Sequence, residues 1–193
     1  MRKPSQFLNK KQAFFVGLTV GLICLVFCLS SPPVTLTSYQ SCEVCFSPQM
    51  RCTNRIIHAI ENTQKNIFVQ AFVLTSYPIT ESLISAFKRG VKVTVILDGK
   101  QIRSRHSLHP LLMNAGIPVY NDKIKRGLAH NKVMIFDEDI VLTGSFNFSK
   151  SAETANAENI LIVKDKNLAA QYLKNWHQRL DVSVPLTLPL NKI

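Results

Sequence analysis

Two pairs of polar residues lie at the outer ends of one predicted β-hairpin. His130 and Lys132 stand at its start, and Ser145 and Asn147 follow its second apolar run. Residues two apart on a strand point to the same face. The two halves of the hairpin are similar in length, so its outer ends should lie side by side. We therefore expect an imidazole, an ammonium group, a hydroxyl and an amide to converge on one small area.

That set of groups suits a phosphodiester. The ammonium and amide donors can stabilise charge on the non-bridging oxygens, and the imidazole can attack phosphorus or protonate a leaving oxygen. No second histidine and no carboxylate cluster lies there at metal-ligand spacing. The sequence therefore favours a mechanism that uses no metal and no other cofactor.

Strands and helices alternate along the chain around this hairpin. Helical spacing predicts helices over 51–63, 80–89 (with Thr80 as N-cap), 107–115 and 166–180, and apolar runs predict strands over 66–75, 91–98, 117–120, 132–137, 139–144 and 158–165. The hairpin must be antiparallel, whereas helical crossovers favour parallel strands. We predict an α/β fold in which helices flank both faces of a mixed sheet.

The N-terminus has the layout of an export signal. Four positive charges precede an uncharged apolar run over residues 13–29, followed by serines and prolines. Such a run is typical of a cleaved signal peptide or of a single-span anchor. We divide the chain into this leader (1–30, a hydrophobic helix), a linker (31–41), a catalytic domain (42–182) and a tail (183–193). The domain should be periplasmic or secreted if the leader is cleaved, and otherwise membrane-attached through 13–29 on the outside.

The formal net charge of +11 favours an anionic partner, such as nucleic acid or phospholipid headgroups. Ligands of α/β sheets usually bind beyond the carboxyl ends of the strands. Basic residues follow the strand that ends at Asp98 and also precede His130. The candidate substrate-binding residues are Arg103, Arg105, Lys125 and Arg126.

Three cysteines form a cluster before the first predicted helix: Cys42, Cys45 and Cys52. In an oxidising compartment we expect a disulfide between Cys45 and Cys52 or between Cys42 and Cys52. A zinc site would recruit His58 as its fourth ligand. The isoleucines of that helix place His58 on the opposite face, which disfavours zinc.

The spacing of the motif resembles the signature of the phospholipase D superfamily. His130-x-Lys132 is followed after four residues by Asp137, and after six more by Gly144-Ser145-x-Asn147. The segments "NIFVQAFVLT", "FKRGVKVTVILD" and "TGSFNFSKSAETANAEN" are similar to those of the small exported bacterial Nuc endonucleases. Mitochondrial phospholipase D and Zucchini resemble the chain more distantly and share the single motif.

This resemblance implies a homodimer, because family members bring two motifs together and the chain holds one. It implies that His130 attacks phosphorus to give a phosphohistidine, while the partner subunit's His130 protonates the leaving oxygen. Lys132 and Asn147 would hold the phosphate, and Ser145 would support them.

Glu158 matches the glutamate of the family that orients the imidazole, and Glu153 is the second candidate for that role. Asp137 and Gly144 are interpreted as structural, with Asp137 a candidate for a salt bridge.

Three functions remain open from sequence alone. The first is a non-specific endonuclease acting on DNA or RNA, and the second is a phospholipase D that removes lipid headgroups. The third is a nucleic-acid-binding module without activity, against which the intact motif argues. The chain is short and leaves little sequence for an acyl-binding wall, so we favour the endonuclease.

Overall fold

The computed structural model describes residues 40–187, which form a mixed sheet with helices on both faces. The predicted leader and nearly all of the predicted linker lie outside the described residues. The strands are β1 (Ser41–Ser47), β2 (Asn66–Ala71), β3 (Lys92–Asp98), β4 (Val119–Asp122), β5 (Lys132–Phe136), β6 (Ile140–Gly144), β7 (Glu158–Lys164) and β8 (Val184–Pro185). The helices are α1 (Cys52–Asn62), α2 (Tyr77–Lys88), α3 (His109–Asn114), α4 (Lys150–Thr154) and α5 (Lys166–Asp181), with a 3-10 turn over Gln101–Arg103. Across 40–187, no helix combines the length and the apolar character needed to span a membrane.

The strands follow the order β1-β7-β6-β5-β2-β3-β4-β8 across the sheet. β2, β3 and β4 run parallel to one another, while the other neighbouring pairs are antiparallel. The predicted mixed sheet is therefore confirmed. Its parallel part comes from the helical crossovers and its antiparallel part from the β5–β6 hairpin.

Each face of the sheet is covered by a different set of helices. On one face, α1 and α2 bury isoleucines and leucines against Val69 and Met134. On the other face, α5 packs Ala169 and Trp176 against the strands, and the Trp176 indole N–H donates to the Val69 carbonyl oxygen at 3.0 Å. Burying these apolar faces is the main force that holds the layers together.

The start of α2 differs from the predicted helix. The helix begins at Tyr77 after Ser76, so Thr80 lies inside its first turns and is not the N-cap. The Thr80 hydroxyl donates to the Ser76 carbonyl oxygen at 2.9 Å. Pro78 was the better signal, because proline favours the first turn of a helix, where its missing N–H costs nothing.

Several strand boundaries also differ from prediction. β2 ends at Ala71 and not at residue 75, and β4 covers Val119–Asp122 where 117–120 was predicted. The sequence missed β1, which pairs with β7 at the edge of the sheet. It also missed β8, within the predicted tail, which pairs with β4.

A disulfide joins Cys45 of β1 to Cys52, the first residue of α1. Both half-cystines are buried, whereas Cys42 is free and exposed on β1. The zinc alternative is wrong, because two of its three thiols are bonded to each other and His58 is exposed. The bond fixes the edge strand to the helix that follows it.

Candidate active site

The backbone after β6 carries the second half of the motif across the end of β5. Strand β6 ends at Gly144, and the chain then runs to Phe148, whose carbonyl oxygen accepts the N–H groups of Thr75 and Ser76 at 2.9 Å. Residues 75 and 76 follow β2, and β5 lies between β6 and β2. The segment 145–148 must therefore pass over the N-terminal end of β5, where His130 and Lys132 stand.

His130 and Lys132 are in direct contact at this end of β5. The Lys132 Nζ lies 3.0 Å from His130 Nδ1 and 3.2 Å from Nε2, and it donates to the His130 carbonyl oxygen at 2.6 Å. An ammonium group can only donate and a neutral imidazole has a single acceptor nitrogen, so one of these two ring nitrogens at most accepts from Lys132. The imidazole itself is exposed, and this leaves it accessible to a substrate.

An aromatic ring supports both side chains. The Phe72 ring lies 4.4 Å from the His130 ring, centroid to centroid, and 5.1 Å from the Lys132 Nζ. An ammonium group at that distance from an aromatic face is attracted to it. Lys132 is only 6% exposed, and burial lowers its pKa, while the negative charge of Glu158 acts in the opposite direction. The site thus holds a desolvated cation beside the nucleophile candidate.

Backbone and side-chain contacts fix the loop that carries His130. The Asn131 side-chain amide donates to Gln70 Oε1 at 3.1 Å, and the Phe72 N–H donates to the Asn131 carbonyl oxygen at 2.9 Å. On the other side, Asp98 Oδ2 accepts the Ala129 N–H at 2.8 Å. Sequence reasoning missed these positioning residues. The available signal was a carboxylate placed at the end of a buried strand.

Ser145 and Asn147 have different surroundings. The Ser145 Oγ accepts from the backbone N–H of Asn159 at 3.1 Å and lies 3.3 Å from its Nδ2. The Asn147 Oδ1 is buried and has no hydrogen-bond partner within 40–187. Buried polar atoms are rarely left unpaired, and functional sites are a common place for the exceptions. A phosphate oxygen only accepts, so a contact between Asn147 and a substrate would have to use the Nδ2 group and not this buried oxygen.

The two glutamates that were candidates for orienting His130 make other contacts. Glu158 Oε1 accepts from Asn156 Nδ2 at 3.0 Å, and residues 40–187 show no hydrogen bond between Glu158 and His130. Glu153 Oε2 accepts the Thr53 N–H at 2.8 Å. Glu153 was therefore wrong as an orienting residue, because its carboxylate caps the first turn of α1.

The remaining motif residues act on the backbone. The Asp137 carboxylate accepts three backbone N–H groups at 2.6–3.1 Å, from residues 64, 65 and 66, which fixes the turn before β2. The predicted salt bridge is wrong, since these partners carry no charge.

A Cβ atom at Gly144 would lie 2.2 Å from the Asn159 carbonyl oxygen. Only glycine allows β7 to approach β6 so closely.

The predicted substrate-binding cations lie on two exposed loops. Arg103 ends the 3-10 turn after β3 and lies beside residues 123–127 across a pocket of about 220 Å³. Lys125 and Arg126 are exposed on that second loop. Arg105 is exposed as well, and its Nε contacts His106 Nε2 at 3.2 Å. The structure thus brings Arg103 next to the loop that leads to His130.

Known proteins are similar to this chain in sequence and in fold. The family model "Cardiolipin synthase, PLD-like domain" matches residues 56–180. The phospholipase D of Rickettsia prowazekii is 41% identical, in an alignment covering 92% of this chain and 94% of that protein. The chain belongs to the phospholipase D superfamily.

Two further matches describe its place in the superfamily. The crystal structure of Nuc from Salmonella typhimurium, a phospholipase D family member, has a TM-score of 0.73 and 32% identity, covering 77% of this chain and 99% of Nuc. A mitochondrial cardiolipin hydrolase of Chlamydomonas reinhardtii is 28% identical, over 74% of this chain and 63% of that protein. The chain is therefore a phosphodiesterase of the phospholipase D superfamily, a hydrolase.

Proposed function

We propose that this phosphodiesterase is a metal-independent, non-specific endonuclease that cleaves DNA or RNA. The observation that carries the proposal is the buried Lys132 ammonium group against His130, beneath the segment that holds Asn147. Both ring nitrogens lie within 3.2 Å of a positive charge, a position that a metal cation would not share. The ammonium group supplies the charge that a metal would otherwise provide.

The reaction follows from the chemistry of these groups. A ring nitrogen of His130 attacks phosphorus, and an N–P bond forms as the bond to the leaving oxygen breaks. A second imidazole donates its proton to that oxygen. It then removes a proton from the water that attacks the phosphohistidine, and the N–P bond breaks to release the phosphate product and free His130. Lys132 and Asn147 stabilise negative charge on the non-bridging oxygens. Ser145 supports this end of the site through Asn159. The orienting role of Glu158 stays a prediction, because its carboxylate accepts from Asn156 in the single subunit.

We propose that the second imidazole comes from another chain. The sequence contains one copy of the motif, and one His130 cannot serve as nucleophile and as leaving-group acid in the same step. We propose a homodimer in which the partner subunit's His130 supplies the acid. A two-fold axis gives each subunit the same role in a self-complementary interface.

We propose that the enzyme acts outside the cytoplasm. The four cations followed by the apolar run over 13–29 support export. A cleaved leader would give a periplasmic or secreted enzyme. A retained leader would hold it at the membrane through 13–29.

Phospholipase D activity is the second candidate, and one structural observation favours it. Ile124 and Leu128 are 37% and 41% exposed on the loop before His130, where they could contact lipid. The Rickettsia relatives are also named phospholipase D. The basic residues on the same loop fit nucleic acid equally well.

Parallel assays separate these functions. The purified full chain is incubated in excess EDTA with plasmid DNA, RNA and phosphatidylcholine vesicles. We expect cleavage of both nucleic acids, and His130→Ala should reduce it about 10³-fold or more while the mass of the dimer is unchanged.

His58→Ala is the matched control. His58 is exposed and borders a pocket at the opposite end of β5, beside Phe136 and Asp137. Full activity of the His130 variant would refute the mechanism, as would a strict need for added divalent metal. Cleavage of vesicles alone would establish the phospholipase instead.

A further inference from the structure

A cation-lined pocket lies beside the loop that carries His130. It occupies about 220 Å³ at the carboxyl ends of β3 and β4. Its lining includes the side chains of Lys100, Arg103 and Lys123 and the carboxylates of Asp98 and Asp122. Ligands of α/β sheets commonly bind at this edge.

The three cations of the pocket are available to a ligand. Lys100, Arg103 and Lys123 are exposed, and none of them forms an ion pair within the described part of the chain. Cations without a carboxylate partner attract an anion more strongly than paired ones. The pocket therefore has the charge that a phosphate group requires.

Both acidic residues of the pocket are already engaged. Asp122 is buried and forms a two-point ion pair with Arg179, whose Nε donates to Oδ2 at 2.8 Å. Asp98 accepts the N–H groups of Lys100 and Gln101 with Oδ1, and that of Ala129 with Oδ2. With Asp122 neutralised, three cations face one carboxylate that is saturated with donors. The local charge remains positive.

The pocket is also connected to the catalytic loop. Asp98 lines the pocket and holds the N–H of Ala129, the residue immediately before His130. The pocket and His130 are thus joined through Asp98 and Ala129, and a polynucleotide bound at His130 carries further phosphates on both sides of the scissile one. A polynucleotide has a phosphate at every nucleotide, whereas phosphatidylcholine has a single one.

We propose that the pocket bounded by Lys100, Arg103 and Lys123 binds a phosphate next to the scissile one in a polynucleotide strand. The proposal rests on the endonuclease function. It names a substrate subsite separate from the His130–Lys132 pair, with Lys100 and Lys123 as additional contacts. The subsite would make the enzyme prefer a chain of phosphates to an isolated phosphodiester.

Two substrates test this subsite in the full chain. A single-stranded oligonucleotide has neighbouring phosphates, and bis(p-nitrophenyl) phosphate is a single phosphodiester. In a Lys100→Ala/Lys123→Ala double variant, we expect the ratio of kcat/KM on the oligonucleotide to that on bis(p-nitrophenyl) phosphate to fall about tenfold. The slope of log kcat/KM against log salt for the oligonucleotide should flatten by about 0.7 per lost cation.

Lys92→Ala provides the matched control. Lys92 is an exposed cation at the opposite end of β3, so its removal changes the net charge without touching the pocket. The subsite would be overturned if the double variant changed the logarithm of the ratio and the salt slope by no more than twice the change caused by Lys92→Ala. An equal loss on both substrates would also overturn it. If the wild-type chain cleaves vesicles but no oligonucleotide, the endonuclease proposal itself fails, a distinct result.

Discussion

Lys132 is a charged residue in a place that penalises charge. Its side chain is 6% exposed, and burial lowers the pKa of the ammonium group. Within the described residues, contacts with His130, Glu158 and the Phe72 ring offset this penalty. Residues that cost stability are retained where the reaction needs them. We propose that Lys132 is such a residue, because a desolvated cation stabilises phosphoryl charge better than a hydrated one.

Replacing Lys132 with methionine should separate stability from activity. Methionine fills a similar volume without a charge, so Lys132→Met should raise the free energy of unfolding by about 0.5–2 kcal/mol. Hydrolysis of bis(p-nitrophenyl) phosphate should be lost. Thermal unfolding and initial rates are the measurements, with the exposed Lys92→Met as control. A clearly less stable Lys132 variant would show that the contacts of the ammonium group outweigh its burial.

The same substitution should change how the free energy of unfolding depends on pH. The pKa of Lys132 is lower in the folded protein than in the unfolded chain, so the unfolded chain binds more protons at alkaline pH. The stability of the wild type should therefore rise between the two pKa values, up to the ordinary value of 10.5. Over that pH interval, the difference in free energy of unfolding between Lys132→Met and the wild type should decrease, as measured by denaturant titrations. An advantage that grows with pH would contradict the lowered pKa.

The loops at the carboxyl ends of the strands determine where the catalytic groups stand. Asp98 at the end of β3 holds the 3-10 turn through two backbone N–H groups, and it holds the loop before β5 through Ala129. One carboxylate thus joins two loops that are far apart in sequence. Asp98 acts as a positioning residue, because it reaches His130 only through the backbone.

Asparagine at position 98 should loosen that connection. Its single amide oxygen cannot accept all three N–H groups, and its NH₂ group would face one of them. We expect Asp98→Asn to lower kcat about 10- to 100-fold, since small displacements of catalytic groups are costly. The KM for bis(p-nitrophenyl) phosphate should change little. Asp181→Asn, at an exposed position of α5, is the control, and an unchanged kcat in the Asp98 variant would refute the positioning role.

The sequence predicted elements well where the chain is continuously apolar. β3, β5 and β7 lie within a residue of their predicted limits, because buried β-branched runs form strands almost regardless of context. β1 was missed because it is an edge strand with only Cys45 and Ser47 buried. β8 has two residues and depends on β4 for its pairing. Neither strand shows a periodic apolar pattern.

The contacts that support the site were not predictable from the sequence. The motif predicts His130, Lys132 and Asn147 as site residues, and the structure shows a direct contact between His130 and Lys132. The second strand of the hairpin ends at Gly144, so strand periodicity does not extend to Ser145 and Asn147. The contact between Asp98 and Ala129 joins residues 31 apart, and Glu153 caps a helix 100 residues earlier in the chain. Such pairings follow from the packing of loops. No local pattern records them.

At the scale of the molecule, one chain supplies only one of the two imidazoles that the proposed reaction needs. Within the described residues, the sheet of a single subunit carries one exposed imidazole, one buried ammonium group and one half-buried amide at the proposed catalytic end: His130, Lys132 and Asn147. The proposed reaction needs a nucleophile and an acid on opposite sides of the phosphorus. Each monomer should therefore be inactive, and activity should depend on the pairing of two intact subunits.

Mixing subunits tests that dependence directly. Wild-type and His130→Ala chains are combined in equal amounts, exchanged by unfolding and refolding, and assayed on bis(p-nitrophenyl) phosphate. Random pairing leaves about a quarter of the dimers with two imidazoles, so activity should fall to about a quarter of that of an all-wild-type sample. Chains that act independently would retain about half. Across mole fractions the dependence should be quadratic, whereas mixing with His58→Ala should cause no loss. If activity depended linearly on the mole fraction of wild-type chain, one subunit would hold a complete site. The proposal that two imidazoles act on one phosphate would then be wrong.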